Sequence, residues 1–158
     1  MDFACYTDWD QVPAGADALF ARASSDSIFF SRPWFENLSS HALEDGQSMV
    51  LACVIDGDRV LALLPLMTRG GEQLQALGHL YPSHYTLLLA EQDRQEIRAC
   101  LASGLSRLPV DSLRLAPVAD DDGRLLELQQ AMESSGYSCY RHFRFYNWFH
   151  RLHGESFA

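Results

Sequence analysis

The strongest constraint on the fold is a pair of apolar runs separated by a short turn. The runs cover residues 49–55 and 59–67, and Asp56-Gly57 stands between them. Because an Asp-Gly pair favours a tight turn between strands, the pattern predicts an antiparallel hairpin. Residues 60–64 are apolar on both faces, which is typical of a central strand that is covered on both sides. We therefore expect a sheet that lies between two packing layers.

Further strands follow from the same kind of pattern. Pro65 has no amide N–H to donate to a ladder, so it predicts a bulge or a point where strand pairing changes. A second turn is expected at Arg69-Gly70-Gly71. Shorter strands are predicted at residues 3–6, 73–77, 85–89 and 113–115.

Helices are predicted from capping signals and helical spacing. The clearest start lies at Ser31, which can cap a helix with Pro33 in its first turn, while Phe30 packs on Phe35. This helix should run to about His41 and bury Trp34, Phe35 and Leu38. Other helices are expected at residues 17–23, 91–108 and 124–133, with Arg98 on the outward face of the third.

The densest aromatic run lies at residues 137–152, and its composition predicts a final strand. Phe143, Phe145 and Phe149 would share one face, toward the core. The other face would present polar and aromatic side chains, namely Tyr140, His142, Arg144, Tyr146, Trp148 and His150. Such residues favour a partner-domain interface or a substrate cleft. Coverage by a helix of the same domain and stacking on nucleobases are the alternatives.

The predicted elements follow the order β-α-α-β-β-β-(β)-α-β-α-β. This order predicts an α/β (α+β) sandwich in which a mixed, mostly antiparallel sheet carries helices on both faces. We expect one domain at residues 1–152. Residues 153–158 would begin a linker or helix that leads to a second domain.

Composition limits the classes of partner. A net charge of −9 disfavours nucleic acid and anionic membranes, which are themselves polyanions. Four scattered cysteines show no spacing for zinc or for a disulfide framework, and the first residues are not typical of a secretory signal. The longest apolar stretch, residues 60–67, is too short to span a bilayer. These features predict a cytoplasmic protein without a metal.

Several segments resemble the GNAT acyltransferase superfamily. Phe29-Phe30-Ser31-Arg32-Pro33-Trp34-Phe35 is similar to a helix start in bacterial acyltransferases of the cellulose-biosynthesis and FemAB-related type. Val60-Leu61-Ala62-Leu63-Leu64-Pro65-Leu66 is similar to their central strand, and Leu77-Gly78-His79 with Tyr85-Thr86-Leu87-Leu88 resembles the next strand-loop-strand. Residues 147–151 and 155–158 resemble the hinge before a second GNAT domain.

The resemblance implies the N-terminal half of a tandem bacterial N-acyltransferase. Its partner would be the second GNAT domain, which binds acetyl-CoA or another acyl-CoA, or another copy that self-associates through the aromatic strand. This half would shape the acceptor cleft and be inactive alone. A non-catalytic GNAT-like interaction module is the alternative, and a self-sufficient acetyltransferase with a divergent cofactor loop is a further one.

The sequence lacks a cofactor-binding motif at the position where the resemblance places one. GNAT domains hold the pyrophosphate on backbone N–H groups at a glycine-containing strand-to-helix junction. The matching residues 89–96 contain no glycine, and they include Glu91, Asp93 and Glu96. We therefore expect no acyl-CoA at this junction.

Candidate catalytic residues lie in the loop and strand near residue 84. His84 can act as a base for an amine, and Tyr85 is its neighbour. His79 and Tyr81 are candidates for the acceptor cleft, together with Tyr140, Arg144, Tyr146 and Trp148 of the aromatic run. The simpler interpretation of the histidines is that they pack at a strand end, since two histidines without a third ligand do not form a metal site.

Overall fold

The computed structural model describes residues 1–69, 72–78, 84–90 and 95–146. Its strands are β1 (Asp2–Tyr6), β2 (Met49–Asp56), β3 (Arg59–Arg69), β4 (Gln73–Ala76), β5 (Leu88–Leu89) and β6 (Ser112–Arg114). Its α-helices are α1 (Ala16–Asp26), α2 (Arg32–His41), α3 (Gln95–Leu105) and α4 (Gly123–Ser134). The predicted α/β sandwich with a mixed, mostly antiparallel sheet is confirmed.

The sheet is built around β3. Its main path runs β1-β2-β3-β4-β6, and β5 also pairs with β3. Among the strands of the described residues, every pairing is antiparallel except that of β4 with β6. One side of β3 pairs with β2, and the other side is shared by β5 at Ala62 and Leu63 and by β4 from Leu66 onward. Pro65 lies between these two pairings, so the predicted change of strand pairing is confirmed.

The hairpin of β2 and β3 forms as predicted. Asp56 pairs with Arg59, and Gly57 adopts a φ of 59°, which glycine tolerates without steric cost. All residues from Ala62 to Met67 are buried, with side chains that point alternately to the two faces. Both faces of β3 are therefore covered. The irregularity in this ladder lies between Val54 and Ile55 of β2.

Helix α2 begins at the predicted cap. The hydroxyl oxygen of Ser31 accepts a hydrogen bond from the amide of Trp34 at 3.4 Å, and Phe35 and Leu38 are buried. Trp34 was predicted to be buried but is only half-buried, because its ring lies against Phe29 at the edge of the core. The ring centroids are 4.8 Å apart in a T-shaped arrangement.

Helix α3 packs on β1, β2 and β3 and also contacts α4. The predicted helix began at residue 91, but residues 91–94 lie outside the described residues. At the other end, the helix ends at Leu105 and not at Leu108. Arg98 was predicted to point outward and is instead buried, because α4 covers this face and supplies Glu127 at 2.5 Å from its guanidinium group.

The predicted strand at residues 85–89 is shorter than expected. Only Leu88 and Leu89 pair in the ladder with β3. Tyr85 instead forms an isolated parallel bridge with Val118, and its amide donates to the carbonyl of Pro117 at 2.7 Å. Residues 86 and 87 are buried between these two pairings.

The C-terminal segment differs most from expectation. Residues 137–146, which we call the C-terminal arm, form no strand, so this part of the prediction is wrong. Phe143 and Phe145 were expected in the core and are 73% and 48% exposed. Aromatic residues favour strands only where a neighbouring strand gives them a surface, and no described strand pairs with the arm. Residues 147–152 and the boundary at 152–153 lie outside the described part of the chain.

Candidate functional site

A narrow cleft opens where the outer side of β3 passes from β4 to β5. We call it the sheet cleft; Phe29, Trp34, Leu77, His84, Tyr85 and Pro117 are among its lining residues. Its described walls enclose about 10 Å³. The cleft lies between the start of α2, the residues that follow β4 and the residues that precede β5.

His84 lines this cleft beside the buried Tyr85. It is half-buried, and its imidazole ring packs perpendicular to Phe30 with 4.8 Å between the ring centroids. The Phe30 ring is buried, so it fixes one side of the imidazole. The prediction that His84 acts as a base stays a prediction, and this contact also fits simple packing at a strand end.

Tyr85 points into the core beside His84. Its hydroxyl donates to the carbonyl oxygen of Pro65 at 2.6 Å, and burial raises the pKa of Tyr85 well above its ordinary value. The same carbonyl accepts from the amide of Leu77 at 2.9 Å. This placement suits a structural hydrogen bond across the gap between β4 and β5, and it leaves His84 as the better candidate for proton transfer.

The Tyr85 hydrogen bond should be measurable as stability. Tyr85→Phe is expected to lower the free energy of unfolding by about 1 kcal/mol, because the hydroxyl is lost while Pro65 keeps one donor. Urea denaturation measures the change. Tyr140→Phe is the matched control, since Tyr140 is 81% exposed, and it should leave stability unchanged. Equal effects of the two substitutions would contradict the assignment.

Thr86 connects the segment before β5 to the start of α4. The buried Thr86 hydroxyl donates to one carboxylate oxygen of Asp122 at 2.5 Å. The other carboxylate oxygen accepts from the amide of Arg124 at 3.0 Å and caps α4. Asp122 belongs to the acidic run at residues 120–122, and the structure gives it a specific bonding function that composition alone did not reveal.

Asp122→Ala is expected to lower the free energy of unfolding by about 2 kcal/mol, since it removes the cap and leaves a buried hydroxyl without this acceptor. Thermal or urea denaturation measures the loss. Asp121→Ala is the control, because Asp121 is exposed, and a change below about 0.5 kcal/mol is expected there. A loss of equal size in both variants would show that the general charge of this loop is responsible.

A second cleft lies at the end of β5, beside the last turn of α1 and the first turn of α4. We call it the arginine cleft; it encloses about 60 Å³ and is lined by Arg22, Asp26, Ala90 and Arg124 among others. The guanidinium of Arg124 lies 2.9 Å from the carboxylate of Asp26, whereas Arg22 is exposed. Sequence reasoning missed this grouping, because its charged residues come from helices about 100 positions apart and no local motif joins them.

The predicted interface residues on the C-terminal arm are strongly exposed. Tyr140 is 81% exposed and Tyr146 is 78% exposed, and Tyr146 also contacts Phe143 with 4.9 Å between ring centroids. Arg144 is exposed as well. No described residue of the arm lines either cleft, so the structure separates these residues from His84 and Tyr85. His79, Tyr81 and Trp148 lie outside the described residues.

Cys53 is a core residue and not a reactive thiol. Burial raises the pKa of Cys53 to about 12, and its thiol points toward the carbonyl of Leu51 at 3.7 Å, as expected of a core cysteine. Within residues 1–69, 72–78, 84–90 and 95–146, no group of three or more acidic, His or Cys residues could bind a metal. None of the helices described there has the length and apolar character needed to cross a membrane.

Comparisons of the chain with protein-family models, with curated proteins and with solved structures found no match.

Proposed function

We propose that the chain is the acceptor-binding half of an acyl-CoA-dependent N-acyltransferase of the GNAT type. The observation that carries the proposal is the position of His84 at the gap between β4 and β5. An amine placed there would lie near Phe29 and Trp34, and the face of an aromatic ring attracts an ammonium group. The imidazole beside them can take the proton that an amine must lose before it attacks a thioester.

The acyl-CoA itself would be bound by a second GNAT domain. The arginine cleft includes Leu89 and Ala90, the first residues of the junction to which the resemblance assigns the pyrophosphate, but Asp26 already pairs with Arg124 there. Glu96 adds a negative charge to the first turn of α3. Residues 89–96 also contain no glycine that would let the backbone approach a phosphate group. The paired arginine, the added negative charge and the lack of glycine together favour binding of the acceptor over binding of the cofactor.

The C-terminal arm would form the contact with that second domain or with another copy of the chain. Its exposed Tyr140, Phe143 and Tyr146 form the kind of apolar surface that monomers rarely leave uncovered. Free cysteines throughout support a reducing compartment such as the cytoplasm.

Nuclear magnetic resonance of the histidine ring signals tests the acceptor assignment. Titration with a panel of primary amines should shift the His84 signals in a saturable way, because the amine would bind beside the imidazole. His84→Gln should weaken binding while leaving the protein folded, and His41→Gln on the last turn of α2 is the matched control. If no amine shifts the His84 signals, or if His41 responds equally, the proposal fails.

A non-catalytic interaction module is the second candidate, and one observation favours it. The described walls of the sheet cleft enclose about 10 Å³, which is about the space of one water molecule. An acceptor would therefore have to displace cleft side chains when it binds. Absence of amine binding in the titration above, together with association through the C-terminal arm, would favour this candidate.

A further inference from the structure

The C-terminal arm is basic, whereas the chain as a whole is strongly acidic. The chain carries 21 acidic residues against 12 Lys and Arg residues. The arm carries Arg141 and Arg144 and no acidic residue. Arg141 is paired with Asp120 on the body of the same chain, and this contact shows that the arm is attracted to acidic surface. Arg144 is exposed, and it takes part in none of the ion pairs found among the described residues.

The backbone of the arm is available for pairing. The amide of Tyr137 donates to the carbonyl of Met132 at the end of α4, and no other backbone hydrogen bond is found for described residues of the arm. Unpaired N–H and C=O groups are what a sheet edge can bind by adding a strand. Phe143 and Tyr146, whose rings are in contact, would then lie on opposite faces of the added strand. The exposed aromatic side chains would then gain a surface against which to pack.

The described sheet has an open edge that fits the arm. β1 pairs with β2 on one side, and no described strand pairs with its other side. Asp2 is exposed on this edge strand. An acidic residue on the edge favours a partner strand that places a basic residue opposite it. The opposite edge strand, β6, ends at the exposed Arg114 and matches the arm less well.

We propose that the C-terminal arm of one copy pairs along the open edge of β1 in a second copy, so that two copies exchange arms. The strands run antiparallel, since this direction brings Arg144, near the end of the arm, to Asp2, at the start of β1. The contact is reciprocal, and the same surfaces meet twice about a twofold axis. This inference goes beyond the proposed function and does not depend on acyl transfer.

Sedimentation equilibrium on the full chain provides the first test. The wild-type protein should change from monomer to dimer as its concentration rises, and added salt should weaken the dimer because the pairing is charge-assisted. Arg144→Glu and Asp2→Arg, tested separately, should each weaken the dimer by about tenfold or more, since each places like charges opposite each other. Arg22→Glu, on α1 away from both surfaces, is the matched charge-reversal control and should dimerise like the wild type.

Mixing the two variants provides the decisive test. In the mixture, the arm of the Arg144→Glu protein carries a new carboxylate, and it meets the edge of the Asp2→Arg protein, which carries a new guanidinium group. The unchanged arm of the Asp2→Arg protein meets the unchanged edge of the Arg144→Glu protein. Both contacts are complementary, so a heterodimer should form at concentrations where each variant alone is monomeric. A strictly monomeric wild type would overturn the proposal. Variants that dimerise as strongly as the wild type, or a mixture that stays monomeric, would overturn it as well.

Discussion

Gly15→Ala is expected to lower the free energy of unfolding by about 2–3 kcal/mol, although the backbone φ of −57° at this position is one that alanine adopts readily. A Cβ at Gly15 would lie 2.4 Å from the carbonyl oxygen of Asp58, 3.1 Å from the Cα of Arg59 and 3.2 Å from the amide nitrogen of Val60. All three atoms are backbone atoms of the β2–β3 hairpin, so none can rotate away. The start of α1 would have to move off the hairpin, and part of the packing between α1 and β3 would be lost.

Urea denaturation compares Gly15→Ala with Gly123→Ala, which makes the same chemical change at the start of α4. A Cβ at Gly123 would meet nothing within 4 Å. The control should therefore be neutral or stabilising by less than about 1 kcal/mol, since alanine restricts the unfolded chain and favours helix. Similar values for the two variants would contradict the close approach of α1 to the hairpin.

Gly104→Ala is the second substitution with a large expected effect. A Cβ on this face of α3 would lie 2.0 Å from Cγ of Phe3 and 2.1 and 2.6 Å from its two Cδ atoms. These atoms form the base of the ring, so the whole side chain would have to swing away from α3. We expect a loss of about 1–3 kcal/mol, even though alanine is better than glycine in a helix by about 1 kcal/mol.

A double-mutant cycle with Phe3→Ala separates the clash from the helix preference. In the Phe3→Ala background there is no ring to displace, so Gly104→Ala should become neutral or stabilising by up to about 1 kcal/mol. This reversal of sign is specific to contact between β1 and α3. The same loss in both backgrounds would show that Gly104 and Phe3 do not meet, and it would contradict the layer arrangement.

Local signals predicted the elements that depend on neighbouring residues. The hairpin followed from Asp56-Gly57 between two apolar runs, and α2 followed from Ser31 and Pro33. Pro65 predicted a change of pairing because the absence of an amide N–H is a property of the residue itself. In each case, the residues that decide the structure lie within a few positions of one another.

The arm and Arg98 show where sequence patterns were insufficient. Strand preference of aromatic residues depends on packing against a neighbour, so the run at residues 137–146 indicated a strand without showing which strand it would pair with. Arg98 satisfies the pattern of an exposed helix face, and only the contact of α4 with α3 buries it. Both outcomes depend on elements that are distant in sequence.

His84 was identified as a candidate from the sequence. The structure shows that it lines the sheet cleft, and its function as a base stays a prediction. The structural hydrogen bond of Tyr85 and the pairing of Thr86 with Asp122 depend on β3 and α4, so no local motif could predict them. The arginine cleft was missed for the same reason, since Arg22 and Arg124 meet only in the folded chain.

Calorimetric titration with acetyl-CoA tests most directly the central claim, which is that this domain serves the acceptor and not the cofactor. The account predicts no saturable heat, because Asp26 occupies Arg124 and the junction at residues 89–96 has no glycine. Saturable binding at micromolar concentration would contradict the account. Loss of that binding in Arg22→Ala would then identify the arginine cleft as the cofactor site.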